Sequence, residues 1–154
     1  MPSMPSSSAP PKVARYLIPL AYLALALLVA APLFAVAVPV LIDYPNHLAR
    51  SWLMAQAEMG QASAHYAVRW QWVPNLAMEL FLPALIRWLG LETASRLFVA
   101  MAMLLPVAGC AAIQRALFGR VGLWPLAAFL FVYNAVLQWG FMNFLFGMGV
   151  ALIL

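Results

Sequence analysis

The stretch from Tyr16 to Ile42, YLIPLAYLALALLVAAPLFAVAVPVLI, holds no charged residue and runs straight into Asp43. A helix needs about 20 apolar residues to cross the hydrocarbon core of a bilayer. This segment is long enough to span, and Pro19, Pro32 and Pro39 leave room for a kink. The rest of the chain agrees with lipid as its solvent. Of its 154 residues, 67% are hydrophobic and only 8% are charged. A soluble domain carries about 45–50% apolar and about 25% charged residues, and a soluble globule cannot hide such an excess. The fold class read from the sequence is an all-α integral membrane protein with three to four transmembrane helices.

Working outward, residues 1–15 (MPSMPSSSAPPKVAR) are rich in Pro and Ser and read as a disordered cytoplasmic tail. Residues 16–42 form the first span. A signal peptide is the competing reading, with Lys12 and Arg15 as its basic end and cleavage after Ala35–Ala37. The apolar run exceeds the about 7–15 residues of a usual signal core, so an uncleaved anchor is expected. Residues 43–96 contain all 4 acids, both histidines and most of the 6 tryptophans, and read as an external loop with juxtamembrane helices. Within that loop Pro45 to Met59 reads as a helix with Asp43 as its N-cap. YAVRWQWV, Tyr66 to Val73, is an extended or interfacial segment. Pro74 to Leu89 is a helix in the membrane interface, anchored by Trp88. Residues 97–114 form a second span, 115–120 a cytoplasmic turn, and 121–139 a third span. Residues 141–154 start a fourth that stops without a polar end, as if the chain were the front of something larger. Lys12 and Arg15 beside the first span and Arg115 and Arg120 in the short turn belong inside by the positive-inside rule. The N-terminus is then cytoplasmic.

The net charge of +4 is scattered, with no basic stripe interleaved with aromatics, which argues against nucleic acid as a partner. The single cysteine, Cys110, sits in an apolar run and reads as a small core residue. No phosphate-loop, dinucleotide or paired-cysteine motif occurs. Trp52, Trp70, Trp72 and Trp88 read as interfacial anchors before sugar-stacking platforms. Asn134 and Gln138, one turn apart, are expected to hydrogen-bond to a neighbouring span. Glu79 and Arg87, eight apart, are candidates to face one pocket or the headgroups. Gly140, Gly147 and Gly149 are expected to allow close helix packing.

The stretch LIDYPNHLAR, Leu41 to Arg50, places an acid, a histidine and an arginine where the first span surfaces. Asp43, His47 and Arg50 stand at i, i+4 and i+7, on one face of a helix. The plain reading is a capped helix start with two polar neighbours. The sharper one is an acid that works as a base, with arginine holding an anionic headgroup.

DYPNHLARSWL, Asp43 to Leu53, resembles the first-loop motif of the C-type (GT-C) membrane glycosyltransferases, among them the protein O-mannosyltransferases and the lipid A aminoarabinose transferases. VPNLAMELFLPALIRWLGLETASRLFVAMAML, Val73 to Leu104, is similar to their Pro-led juxtamembrane helix, acidic turn and Ala-x-Arg-Leu start of the next span. RALFGR, Arg115 to Arg120, resembles the turn that closes that span. The chain departs from the pattern at Tyr44, where many relatives carry a second acid, and at Val73-Pro74-Asn75, where they often carry Lys-Pro-Pro. Asn143 stands where many carry another acid. The resemblance implies an inverting transferase that takes a sugar from a polyprenyl-phosphate donor on the outer face of a bacterial plasma membrane. Asp43 would be the catalytic residue, as base or as the acid that positions the acceptor, and His47 and Arg50 would bind the lipid phosphate, with Arg69 as a substitute for the missing lysine. No cofactor is expected. A divalent metal serves some relatives, but Asp43 and His47 offer two ligands and not a site. This chain alone is expected to be inactive. The competing readings are a non-catalytic membrane scaffold or lipid-binding subunit, and a transporter fragment.

Overall fold

Pro39 ends the first helix. Its ring would collide with the carbonyl of the residue four positions earlier, and helix α1 (Ala14–Ala35) stops at that residue instead of continuing to Ile42. The computed structural model describes residues 14–61 and 63–154, so most of the expected N-terminal tail lies outside the described residues. The chain continues through α2 (Tyr44–Glu58), α3 (Ala77–Leu89), α4 (Leu91–Phe118), a 3-10 helix (Trp124–Phe131), the single turn α5 (Ala135–Gln138) and α6 (Met142–Ile153). No strand occurs among the described residues.

Two helical segments, Tyr16–Ala35 and Leu91–Phe118, are long and apolar enough to cross a membrane. With 28 residues, α4 is about 42 Å long. It starts at Leu91 rather than Leu97 because Gly90 alone separates it from α3. Gly90 has φ 75° and ψ 162°, a backbone conformation essentially restricted to glycine. The chain therefore turns from α3 into α4 without a loop. Glu92 in the first turn of α4 pairs with Arg96 at 3.1 Å, and an acid there complements the helix dipole.

The expected third span, 121–139, is not one helix. The 3-10 helix ends where the Asn134 amide donates to the Phe131 carbonyl at 2.9 Å. The Asn134 side-chain oxygen then accepts the Leu137 amide at 3.0 Å and caps α5. Gln138 donates to the Tyr133 carbonyl. Both polar side chains bond locally, not across to a neighbouring helix as their spacing suggested. Short polar side chains compete for nearby backbone groups in this way, and so break helices.

Packing gives each segment a direction. Tyr22 donates to the Gly122 carbonyl and Tyr133 to the Val29 carbonyl, so the 3-10 region runs alongside α1 in the same sense. α6 runs parallel to α4, from the Phe98–Phe146 ring stack at 5.7 Å to the Gly109–Leu152 contact. A Cβ on Gly149 would lie 2.7 Å from the Leu105 carbonyl carbon and 2.8 Å from the Pro106 nitrogen. That glycine lets the two backbones touch, as expected of small residues between apolar helices. Gly147 meets nothing. The core is carried by Met78, Leu82, Phe98, Met103 and Leu145 at the junction of α3, α4 and α6. Most of α1, by contrast, is apolar and uncovered. α2 and α3 sit where α1 ends and α4 begins, and the polar cluster lies there.

Candidate functional site

Four hydrogen-bonded tethers fix the corner that carries Asp43. The Ile42 amide donates to the Gln138 carbonyl at 2.9 Å and the Asp43 amide to the Trp139 carbonyl at 3.2 Å. The buried Tyr44 hydroxyl donates to Ser95 Oγ at 2.6 Å, and Ser95 passes the chain on to the Glu92 carbonyl at 3.0 Å. Arg96 bonds the Ala37 carbonyl at 2.6 Å. Gly140, at φ 86°, faces Asp43 so closely that a Cβ there would lie 2.7 Å from the Asp43 nitrogen. The end of α1, the start of α2 and the α5–α6 corner thus form one frame around the acid.

Asp43 occupies the cap position of α2, but its side chain caps nothing. Its backbone is helical (φ −93°, ψ −1°), whereas a capping side chain is aimed at the first amides from an extended backbone. The carboxylate instead accepts from Asn46 Nδ2 at 2.8 Å and faces His47 Nε2 at 3.3 Å. It is 40% exposed. The other ring nitrogen, His47 Nδ1, lies 3.2 Å from Glu79 Oε1. Arg50 Nε donates to the same oxygen at 3.0 Å, and Arg50 Nη2 also bonds it.

Glu79 is the residue that the sequence reading did not place in the site. It is 2% exposed, on a largely apolar α3, and four side-chain contacts converge on it. Three come from α2; the fourth is Asn143 Nδ2 of α6, 3.2 Å from Oε2. Asn143 is itself locked. Its oxygen accepts the Met78 amide at 2.7 Å, and its nitrogen also bonds the Asn75 carbonyl. Asn75 holds φ 64°, a left-handed conformation that Asn tolerates better than most residues. Burial alone would push the Glu79 carboxyl up. The hydrogen bonds from His47 and its own backbone amide, the Arg50 charge and the Asn143 amide outweigh burial and hold it below the usual carboxylate range. A signal was present in the sequence: an acid inside an apolar helix must have a partner. Glu79 and Arg87 do not face one pocket: Arg87 is exposed, whereas Glu79 is buried and its partners come from α2 and α6.

Two cavities flank this network. One, of about 420 Å³, is lined by Asp43, His47, Arg50, Pro74 and Asn143. The other, of about 370 Å³, is lined by Arg50, Arg69, Tyr66, Trp70, Glu79 and apolar side chains. Arg50 and Val73 belong to both. All four expected site residues, Asp43, His47, Arg50 and Arg69, therefore line the pair of cavities, with Arg69 one cavity away from Asp43. Arg50 commits Nε and Nη2 to Glu79, and its side chain remains 56% exposed. His47 has each ring nitrogen against a carboxylate. Among the described residues, no group of three or more His, Cys, Asp and Glu side chains is placed to hold a metal ion. Trp52, Trp70, Trp72 and Trp88 are all exposed. No protein-family model, curated protein or solved structure matches the chain.

Proposed function

We propose that this chain belongs to an integral-membrane glycosyltransferase of the GT-C type, which takes a sugar from a polyprenyl-phosphate donor at the outer membrane surface. The observation that carries the reading is the pair of adjoining cavities, one holding the acid Asp43 and the other holding Arg69, with Arg50 between them. They open at the end of the molecule where α1 stops and α4 starts, beside exposed tryptophans. In this reading the chain crosses the membrane three times and begins a fourth crossing, with the N-terminus inside and residues 43–96 outside.

The charges divide the labour. Beside Arg69, the two arginines outnumber the one acid, Glu79, so this cavity favours the phosphate of the donor. The apolar walls Leu53, Val68 and Leu76 suit the first isoprene units. In the other cavity Arg50 is offset by Asp43, which suits a neutral acceptor whose proton Asp43 removes. Two N–H groups of Arg50 are taken by Glu79, so Arg69 bears more of the phosphate contact than Arg50 does. His47 lines the Asp43 cavity and not the one assigned to the phosphate. A transporter is less well supported, because its polar groups would gather near the middle of the membrane, whereas here they gather at one end of the helices.

The direct test is binding of a sugar-free polyprenyl phosphate to the protein in lipid nanodiscs. Losing a hydrogen bond to a charged group costs about 1.5–3 kcal/mol, or roughly 10–100-fold in affinity. Arg69→Ala should weaken binding by that factor, and Asp43→Asn should not weaken it. Equal binding by the wild type and Arg69→Ala would overturn the assignment of the phosphate cavity. A non-catalytic lipid-binding subunit would show the same binding but no transfer.

A further inference from the structure

We infer that Glu79 is a positioning residue that fixes the tautomer of His47, so that His47 Nε2 is held ready to take over a proton gathered by Asp43. The role of Asp43 in this inference rests on the transferase reading; the hydrogen-bond state of His47 does not.

The geometry is a line of three groups from three places in the chain. Glu79 Oε1, on α3, stands 3.2 Å from His47 Nδ1, on α2, and His47 Nε2 stands 3.3 Å from Asp43 Oδ2. A neutral imidazole donates from one nitrogen and accepts at the other, and a carboxylate only accepts. Which nitrogen carries the proton is therefore set by which carboxylate is the more firmly fixed in place as its acceptor. Glu79 is buried and already bound by the Arg50 guanidinium and the locked Asn143 amide. Asp43 is 40% exposed and is bonded by the neutral Asn46 amide. Glu79 thus claims the Nδ1–H, and the Nε2 lone pair faces Asp43 at 3.3 Å, a contact that becomes a hydrogen bond when Asp43 Oδ2 has taken a proton. The charged and titratable groups facing His47 are Asp43 at the start of α2, Glu79 on α3 and, through Glu79, Arg50; Asn143 is the polar group from α6.

The proton path balances. The acceptor O–H bond breaks as Asp43 Oδ2 takes the proton. The acceptor oxygen forms its bond to the sugar anomeric carbon, and the bond from that carbon to the donor phosphate breaks with its electron pair on the phosphate. The proton then leaves Asp43 Oδ2 and binds His47 Nε2, giving an imidazolium flanked by two carboxylates. Asp43 is returned to its basic form without waiting for solvent.

The test reads the ring directly. The chain has only 2 histidines, so ¹⁵N-histidine labelling of the protein in nanodiscs gives two ring systems, and a His65→Gln variant assigns them. In the neutral ring His47 Nδ1 should carry the proton and Nε2 should be bare. In Glu79→Leu, which leaves no acceptor at Nδ1, the two tautomers should mix, and in Asp43→Asn the Nδ1 proton should persist while the Nε2 signal moves. A wild-type ring with its proton on Nε2, or a Glu79→Leu ring that keeps the Nδ1–H unchanged, would overturn the inference. Should Glu79→Leu fail to fold, the wild-type and Asp43→Asn spectra still decide it. In a transfer assay Glu79→Gln should lower kcat by roughly 10-fold or more, less than the about 10²–10⁴-fold contribution of a general base. It should also shift the pH profile and leave the donor KM unchanged. A correct ring tautomer with an unchanged kcat would refute the positioning role and leave the binding reading standing.

Discussion

Replacing Glu79 by glutamine removes one charge and almost no volume, and the structure predicts where the loss falls. Glu79 Oε1 accepts from Arg50 twice and from His47, and Oε2 accepts from Asn143. If the new amide keeps its oxygen toward Arg50, its nitrogen faces Asn143 Nδ2, donor against donor. Asn143 cannot turn over to help, because its oxygen holds the Met78 amide. If the amide is reversed, its nitrogen faces the Arg50 guanidinium. One buried donor is stranded either way, at about 1–3 kcal/mol, and charge-assisted bonds become neutral ones at about 1 kcal/mol each. Arg50 is 56% exposed, so water recovers part of its share. The expected cost is about 2–3 kcal/mol, measured by thermal or denaturant unfolding in detergent at neutral pH. The control, Glu58→Gln on the exposed end of α2, should shift stability by about 0.5 kcal/mol or less. The sign with pH follows from the lowered Glu79 carboxyl. A depressed acid stabilises the fold above its unfolded value, about 4.3. That stability fades as pH falls through the lower folded value. Glu79→Gln should therefore flatten the acid limb of the stability profile. A Glu79→Gln protein as stable as the Glu58→Gln control, with an unchanged acid limb, would refute the account of the network.

The frame around Asp43 gives further expectations. Gly140→Ala combines a left-handed backbone, about 1–2 kcal/mol, with a Cβ driven 2.7 Å from the Asp43 nitrogen, so it should destabilise the protein and shift the His47 ring signals. Tyr44→Phe loses the 2.6 Å bond to Ser95, but Ser95 keeps its bond to the Glu92 carbonyl, so unfolding should show a cost of about 1 kcal/mol. Gly149→Ala must part α4 from α6 at Leu105 and Pro106, at about 1–3 kcal/mol. Gly147→Ala, with open space around it, should be neutral or gain up to about 1 kcal/mol from helix propensity.

Helix positions were readable from the sequence where the signal was local. The start of α2 beside Pro45 and the helix ending at Leu89 follow from proline, glycine and apolar runs. Asp43, His47 and Arg50 were legible as one face because a helix turns regularly. Glu79 was not, because its partners come from α2 and α6, and only tertiary packing brings those helices to α3. The break at Asn134 was hidden for a related reason. Its side chain can bond across to a helix or back to its own backbone, and hydropathy does not distinguish the two. Arg69 entered only as a substitute for a lysine that the family pattern has and this chain lacks, and its cavity adjoins that of Asp43 through Arg50 and Val73.

The central claim is that Asp43 does chemistry at the membrane surface and does not merely begin a helix. It makes no side-chain cap bond, so Asp43→Asn should leave α2 intact, keep the contact with Asn46 within reach and remove only charge and basicity. The decisive measurement is sugar transfer from a polyprenyl-phosphate donor by wild-type and Asp43→Asn protein at matched expression, in membranes with the complete enzyme. Loss of a general base predicts a fall of about 10²–10⁴-fold with donor binding retained. Transfer by Asp43→Asn at close to the wild-type rate would contradict the account.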